Sequence, residues 1–420
     1  MALVFEPTTE SSFALAASLC KLIQEASRRT NTTKKLLQAI SAVVGDLLAA
    51  AGISADLYSF RPLGKAEFEG QRVGYTPAKD TLDALAALNL IEHESGFQCG
   101  MNRYGNGQAT RYRANAALLE LALGYGITPS NWSMHYRYAP RPSKVVHPII
   151  VRGKREHWHD DTKGPKLPVN RADPTYWAAA KQVQDLNAYM ARQSITGCVF
   201  MGFRRIFNYG DQPGFDHNMG GRLYAIGGSY QHLPSNERAA MAINGERVIE
   251  LDIRASFLTM IYGLSGEPLD PEHDPYMMAW PPRDVAKAWA TMTFGYGGFQ
   301  NRWSPQTKIT LLKKKGIDLN DYPIERVRAA VLEQHPILKG WPDSSLRWPE
   351  LQYRESCAII DAVCALAFIH GVPALPVHDS LIVPASRLML AKQVLESSFE
   401  REIGSRPVLT IKVNGESTSL

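Results

Sequence analysis

Two stretches decide how this chain folds: Val248-Ile-Glu-Leu-Asp252-Ile-Arg-Ala-Ser-Phe257 and Leu375-Pro-Val-His378-Asp379-Ser380-Leu-Ile-Val383. Each brings an aspartate to the end of an apolar, β-branched run, which is the composition of a strand. The second resumes as an apolar run after His-Asp-Ser, so it predicts a hairpin with Asp379 at its tip. Two aspartates on neighbouring strand ends can hold a pair of Mg²⁺ ions roughly 3.5–4 Å apart, the arrangement that serves in-line phosphoryl transfer. Mg²⁺ prefers carboxylate and phosphate oxygens and is commonly held by only one or two protein carboxylates. Asp252 and Asp379 are therefore the predicted catalytic metal ligands. Either one alone would read as an ordinary turn or edge residue.

Between them lies Arg283-Asp-Val-Ala-Lys287-Ala-Trp-Ala-Thr-Met292-Thr-Phe-Gly-Tyr296-Gly297, a helical pattern ended by Gly-Tyr-Gly. Arg283 and Lys287 stand at i and i+4 and share a helix face. Opposite a triphosphate, the arginine offers forked contacts and the lysine a point charge; the plain alternative is a solvated face. Carboxylate strand, cationic helix, carboxylate hairpin is the order of parts in a right-hand nucleic-acid polymerase. The three segments resemble motifs A, B and C of the superfamily joining A-family DNA polymerases to single-subunit phage-type RNA polymerases. Met292-Thr-Phe-Gly-Tyr-Gly297 resembles the end of the RNA-polymerase motif B. Val377-His-Asp-Ser380 resembles motif C, with the Ser that RNA polymerases favour where A-family DNA polymerases usually carry Glu. Leu351-Gln352-Tyr-Arg-Glu355-Ser356 resembles the Gln-bearing helix that precedes motif C. The segment from Arg204-Arg-Ile-Phe-Asn208 through Gly220-Gly-Arg222-Leu-Tyr224 to Arg238 and Ile243-Asn-Gly-Glu246 is similar to a poorly characterised group of short polymerase-like proteins from phages, plasmids and integrated elements. The resemblance covers residues 175–415.

The resemblance implies roles for further residues. The backbone carbonyl of Ile253 would add a metal ligand. Tyr296 would end its helix near the nascent base pair, stacking on the template base or helping to read the sugar. His378 would approach the primer terminus, Gln352 would lie along the minor groove of the new duplex, and Arg222, Arg238 and Arg204 would contact phosphates. Two departures stand out. Counted back from Gly297, Lys287 falls one residue earlier than the RNA-polymerase pattern places it; a helical bulge could absorb this, or the tyrosine is aligned differently. Phe257 occupies the position where the A family places Glu and RNA polymerases a small residue. An aromatic ring there can fill the space of a 2′-hydroxyl, as other polymerase families do; equally, Phe257, Leu258 and Ile261 have the spacing of a helix core. Ser380 and the Gly-Tyr-Gly end point toward RNA synthesis, and Phe257 toward deoxynucleotides.

Composition sets the bounds. A chain of 420 residues predicts two domains, or one with large insertions, and 45% apolar residues suffice for a sizeable core. The net charge of +5, from 46 Lys+Arg against 41 Asp+Glu, confines any nucleic-acid footprint to local patches. Cys20, Cys99, Cys198, Cys357 and Cys364 are widely spaced without a Cys-x-x-Cys pair, which argues against structural zinc. Their odd number and the absence of a secretory leader predict a reducing cytoplasm, bacterial or of a phage-infected host. No apolar run reaches the roughly 18–20 residues of a membrane span on this reading.

The rest of the chain divides by pattern. Residues 11–52 read as helical, with Leu36, Leu37, Ile40, Val43, Val44, Leu47 and Leu48 on one face, Thr32 or Thr33 as cap and Gly52 as stop. Thr76-Pro77 predicts a helix start. A strand, a Gly-rich tip at Tyr104-Gly-Asn-Gly107 and a second strand follow, the order of a winged helix-turn-helix. Its wing would carry Arg103, Arg111 and Arg113 against duplex DNA, although winged helices also serve as protein-interaction modules. Residues 138–173 mix prolines with basic residues and predict a linker, or a strap along a phosphate backbone. Within it, His157-Trp-His159-Asp160-Asp161 resembles a metal cluster but fits an ordinary polar loop better. Residues 174–197 read as helical.

The expectation is thus an α+β protein: a mainly helical winged-helix domain (1–137), a basic linker (138–173) and a right-hand polymerase core (174–420) with a thumb-like part (174–245) and palm and fingers (246–420). The expected activity is DNA-templated extension of a 3′-hydroxyl by a DNA polymerase of a phage or mobile element. It would use two Mg²⁺ ions (Mn²⁺ as substitute), nucleoside triphosphates and primer–template DNA, with no membrane partner. The alternatives are a primase or single-subunit RNA polymerase on the same core, and a DNA-binding replication initiator with an idle core.

Overall fold

The computed structural model describes all residues except 1–2, 28–33, 62, 69–71, 97–109, 140–144, 146, 155–163, 199, 227–229, 345, 414–415 and 420. Two separate hydrophobic cores organise it. The N-terminal one gathers Leu15, Leu19, Ile40, Val43, Leu47, Leu82, Leu85 and Leu118. Its elements are β1 (Phe5–Pro7), α1 (Glu10–Ser27), α2 (Lys34–Ile53), β2 (Ser59–Arg61), α3 (Tyr75–Ala87), β3 (Ile91–Glu94), β4 (Thr110–Ala114), α4 (Ala116–Leu123), α5 (Trp132–His135) and β5 (Tyr136–Tyr138). β1 pairs antiparallel with β5, and β2, β4 and β3 form an antiparallel sheet in that order.

α2 departs from the sequence reading: it is long and apolar enough to cross a membrane. It buries most of its circumference within the chain, with Ala39, Ala42, Gly45 and Asp46 buried beside the expected apolar face. Gly45 is where β1 comes closest, and a Cβ there would stand 2.6 Å from the Cβ of Phe5. Asp46 accepts the amide of Leu3 at 2.6 Å. α2 runs through Gly52 to Ile53, and Thr32 and Thr33 lie outside the described residues. α3 starts one residue earlier than Thr76, with Gly74 as N-cap and no side-chain cap. Arg103 and the Gly-rich tip lie outside the described residues. Arg111 and Arg113 sit on β4, facing Glu94 at 3.8 Å, and Glu92 and Asp56 at 2.5 and 3.1 Å.

The second core begins inside the segment expected to be a linker. β6 (Ile149–Arg152) pairs parallel with β9 (Phe203–Phe207) and antiparallel with β7 (Lys166–Leu167), and β10 (Gly220–Ala225) completes the sheet β10-β9-β6-β7. The apolar run Ile149-Ile-Val151 outweighs its basic, Pro-rich surroundings, and Ile149 and Val151 join the core. α6 (Pro174–Met190) is capped by Asp173, which accepts from Thr175 N at 2.9 Å. It buries Val183, Leu186 and Met190 in the same core.

A seven-stranded antiparallel sheet positions the aspartates. Its order is β13 (Leu375–Val377), β14 (Ser380–Pro384), β12 (Glu246–Ile253), β11 (Ala242–Ile243), β8 (Ile195–Thr196), with β15 (Leu409–Val413) also on β12 and β16 (Glu416–Ser419) on β15. Around it lie α7 (Ser235–Ala239), α8 (Ser256–Leu264), α9 (Arg283–Tyr296), α10 (Pro305–Lys315), α11 (Ile324–Gln334), α12 (Trp348–Phe368) and α13 (Leu388–Ile403). α12 buries Leu351, Ala358, Ile359, Val363 and Leu366 and packs on α13 and β10. Helices set beside an antiparallel sheet make this an α+β architecture.

Candidate active site

Strand register brings the two aspartates together. β12 pairs with β14 so that Asp252 faces Ser380, and the β13–β14 hairpin turns on two residues, His378 and Asp379. Ile253 N donates to the carbonyl of Asp379 at 3.2 Å. Opposed Cα atoms in antiparallel strands lie about 4.5–5.5 Å apart, so Asp252, next to last in β12, comes within one residue of Asp379. His378 takes φ +57°, the left-handed conformation that permits so tight a reversal, at a cost of about 1 kcal/mol. Partial desolvation at the hairpin tip, where the residue stays exposed, and then Arg222, His232 and Arg238, lower its imidazole to about 4. His378 is therefore neutral at pH 7, and its ring meets Tyr224 edge-on at 6.2 Å.

Beneath the aspartates lies a layer of paired charges. Side chains two apart on a strand share a face, so Glu250 accompanies Asp252, and β15 sets Lys412 directly across from Glu250. Arg238 grips Glu250 through Nε at 2.8 Å and Nη2 at 2.9 Å, and Ser380 Oγ donates to the same carboxylate at 2.9 Å. Burial alone would raise the Glu250 carboxyl, but Arg238 and Lys412 outweigh it and hold it below the usual range. Lys412 Nζ donates to Asp252 Oδ1 at 2.8 Å and to Glu250 Oε1 at 3.1 Å.

The second pair is Arg222 with Glu355 of α12, whose side chain is 0% exposed. Arg222 Nε donates at 2.9 Å, Nη2 binds the same oxygen, and Ser256 Oγ donates to the other at 2.8 Å. Two glycines make this reach. Gly220 and Gly221 have φ +78° and +75°, and the register of β10 shifts between Gly220 and Arg222. A Cβ on Gly221 would press on Ser356 Oγ and Phe207 at 3.1 Å. Ser256 is placed by Ala255, which turns the chain after Asp252 with φ +51°.

The aspartates are not balanced in this way. Asp252 is pushed up to about 6, first by burial and then by Asp379, despite Lys412. Asp379 is pushed up to about 6 by burial and then by Glu355.

The other predicted residues are placed as follows. Phe257 is half-buried and stacks on Trp348, centroids 4.2 Å apart and planes 28° apart. Arg283 opens α9 and donates to Asp274 at 2.8 Å, while Lys287 is exposed one turn on. α9 is unbroken to Tyr296 and capped by Gly297, so no bulge shifts Lys287 along the helix. Tyr296, Gln352 and Arg204 are half-buried, on α9, α12 and β9. Arg222 and Arg238, expected against phosphates, each pair with a buried carboxylate, Glu355 and Glu250, which would be costly to leave unpaired. Sequence reasoning missed Glu250, Lys412 and Glu355. The alternation in Glu250-Leu-Asp252 signals the first, but pairings with Lys412 and Glu355 span more than 90 residues. His157–Asp161 lies outside the described residues. Among the described residues, Asp173, Asp216 and His217 bring ligand-type atoms within 4.8 Å of one another.

No protein-family profile matches the sequence, and no curated protein matches it. Among solved structures, the chain is similar to the POL domain of Pol1 from M. smegmatis, in complex with DNA primer-template and dNTP, at 11% identity and a TM-score of 0.27. That match covers 56% of this chain and 51% of the other, so it spans about half of the polymerase domain. A likeness of this size carries no argument about fold or activity.

Proposed function

We propose that this chain is a template-directed nucleotidyltransferase that extends a 3′-hydroxyl, with DNA synthesis as its main activity. The observation that carries the reading is the pair Asp252 and Asp379 on adjacent strand ends, both pushed up to about 6 above a layer whose own charges are paired. This donor set fits a hard divalent cation: it offers carboxylate oxygens, with the Ile253 carbonyl in reach of the same strand end, and an excess of negative charge. Mg²⁺, or Mn²⁺ in its place, when bound supplies activation of the 3′-hydroxyl and neutralisation of triphosphate charge.

The chain's own residues do the rest. Asp252 and Asp379 hold the oxygen cage. Arg283 and Lys287 present cations from one face of α9 toward a triphosphate. Neutral His378, at the hairpin tip, can donate or accept one hydrogen bond at the primer end without adding charge. Gln352 and Tyr296 line the path of duplex and template, and Arg204 contacts a phosphate. Phe257, stiffened by its stack on Trp348, favours deoxynucleotides by excluding a 2′-hydroxyl. The order α2, β2, α3, β3, β4 supports a winged helix that grips duplex DNA, which suits replication of a phage or mobile element.

Primer extension with Mg²⁺, run with dNTPs, with NTPs and without primer, tests the reading. Extension by dNTPs that Asp379→Ala abolishes is the expected result. Unprimed product from NTPs would make the protein a primase or RNA polymerase. Duplex binding without product under any condition would make the core idle.

A further inference from the structure

β15 delivers a cation into the face that carries the aspartates, and none of the roles above uses it. Lys412 faces Glu250 across the β12–β15 ladder, and its ammonium bridges two carboxylates, Asp252 Oδ1 at 2.8 Å and Glu250 Oε1 at 3.1 Å. The two partners differ. Glu250 is fixed without the lysine, by Nε and Nη2 of Arg238 and by Ser380 Oγ, and Arg238 is itself fixed by donating from Nη1 to the carbonyl of Leu233 at 2.6 Å. Among the described side chains, Lys412 is the hydrogen-bond donor to the Asp252 carboxylate. The lysine is therefore held from one side by a rigid anchor and presented to Asp252 on the other.

We propose that Lys412 is the resident counter-cation of Asp252, a positioning residue that holds the carboxylate in place until a divalent cation arrives and then moves wholly onto Glu250. This rests on the two-ion reading of Asp252 and Asp379. The ammonium and the incoming ion compete for the same carboxylate oxygens, so the lysine sets the metal affinity of the site. Glu250 makes the exchange short, because it already accepts the ammonium and is neutralised by Arg238 whether or not the lysine shifts. The arrangement keeps Asp252 from drifting into alternative rotamers in the metal-free protein.

The test is Mn²⁺ binding to the full chain, without nucleotide, followed by the electron paramagnetic resonance signal of free Mn²⁺. Lys412→Met keeps the apolar stem and removes the charge. It should bind Mn²⁺ roughly tenfold more tightly, the order expected for loss of one competing charge contact near a surface. Lys412→Arg should stay close to the unaltered protein. Should Lys412→Met fail to fold, Lys412→Gln, neutral but still able to donate a hydrogen bond to Glu250, supplies the same prediction of tighter Mn²⁺ binding. Unchanged or weaker binding in the folded neutral variant overturns the proposal. The two levels separate cleanly. If Mn²⁺ binds and Asp252→Asn removes that binding, yet Lys412→Met changes nothing, this proposal alone fails. If the unaltered protein shows no Mn²⁺ binding that depends on Asp252 and Asp379, the two-ion reading fails and takes this one with it.

Discussion

Four carboxylates gather at one end of the large sheet, Glu355 reaching it from α12, and they fall into two layers. Glu250 and Glu355 form the lower layer, each held by two nitrogens of an arginine and by a serine hydroxyl. Asp252 and Asp379 form the upper layer, where Lys412 bonds Asp252, Arg222 and then Lys412 only partly offset Asp379, and both carboxyls are pushed up to about 6. Burying a charge costs several kcal/mol per ion and is offset only by good pairing geometry. The lower layer meets that condition from within the chain. The upper layer does not, so it favours whatever cation the surroundings supply. The same residue class thus makes a scaffold in one layer and a reaction centre in the other, and partner geometry decides which.

The largest effect should come from breaking the lower layer. Arg222→Ala leaves Glu355 buried and unpaired, and should cost about 3–5 kcal/mol of stability, measured by denaturant unfolding. Replacing both partners with methionine should recover most of that loss, since an apolar pair of similar volume carries no desolvation cost. A small effect of Arg222→Ala would erase the contrast between layers.

The upper layer should respond in the opposite sense. A carboxyl whose folded pKa is raised gives its full stability below the unfolded value of about 3.9 and loses it as pH rises through about 6. Metal-free protein with Asp379→Asn should therefore be more stable than the unaltered chain at pH 7.5, by about 1–2 kcal/mol after allowance for partial exposure. The advantage should vanish by pH 4. The reading is the difference between the two proteins, because Glu250 and Asp173 are shifted downward and act the other way. Mg²⁺ should reverse the order at pH 7.5 by stabilising only the unaltered chain.

Smaller effects sharpen the picture. Phe257→Gly should relax exclusion of ribonucleotides about tenfold in competition assays, the scale of one steric contact in a pocket. Unchanged selectivity would return Phe257 to the core it touches through Trp348 and Phe294. Arg113→Ala, which removes exposed pairs with Glu92 and Asp56, should leave the melting temperature unchanged, as surface pairs usually do. A clear drop would show that exposed pairs here matter as buried forks do.

The sequence shows the upper layer well and the lower layer poorly. Asp252 and Asp379 are legible because each ends a strand-like run, and the hairpin is legible from apolar runs on both sides of His378-Asp379. Arg222 and Arg238 are visible only as basic residues, and a phosphate is the natural partner for an exposed arginine. Their true partners, Glu355 and Glu250, become evident only once α12 packs on β10 and α7 reaches β12. Lys412 was hidden for the same reason, since β15 joins β12 across more than 150 residues. β6 was obscured by the prolines and basic residues around Ile149-Ile-Val151. Local pattern reveals periodicity and turn chemistry, whereas pairing between distant segments depends on the packed fold.

The central claim is that the upper layer carries the chemistry and the lower layer carries the fold. Single-nucleotide extension of a labelled primer–template with Mg²⁺ tests it most directly, comparing the unaltered protein with Asp379→Ala after circular dichroism has shown that both are folded. The account predicts extension by the first and no detectable extension by the second, because the carboxylate cage that would hold the ions is broken. Extension by folded Asp379→Ala at a rate close to that of the unaltered protein would contradict it.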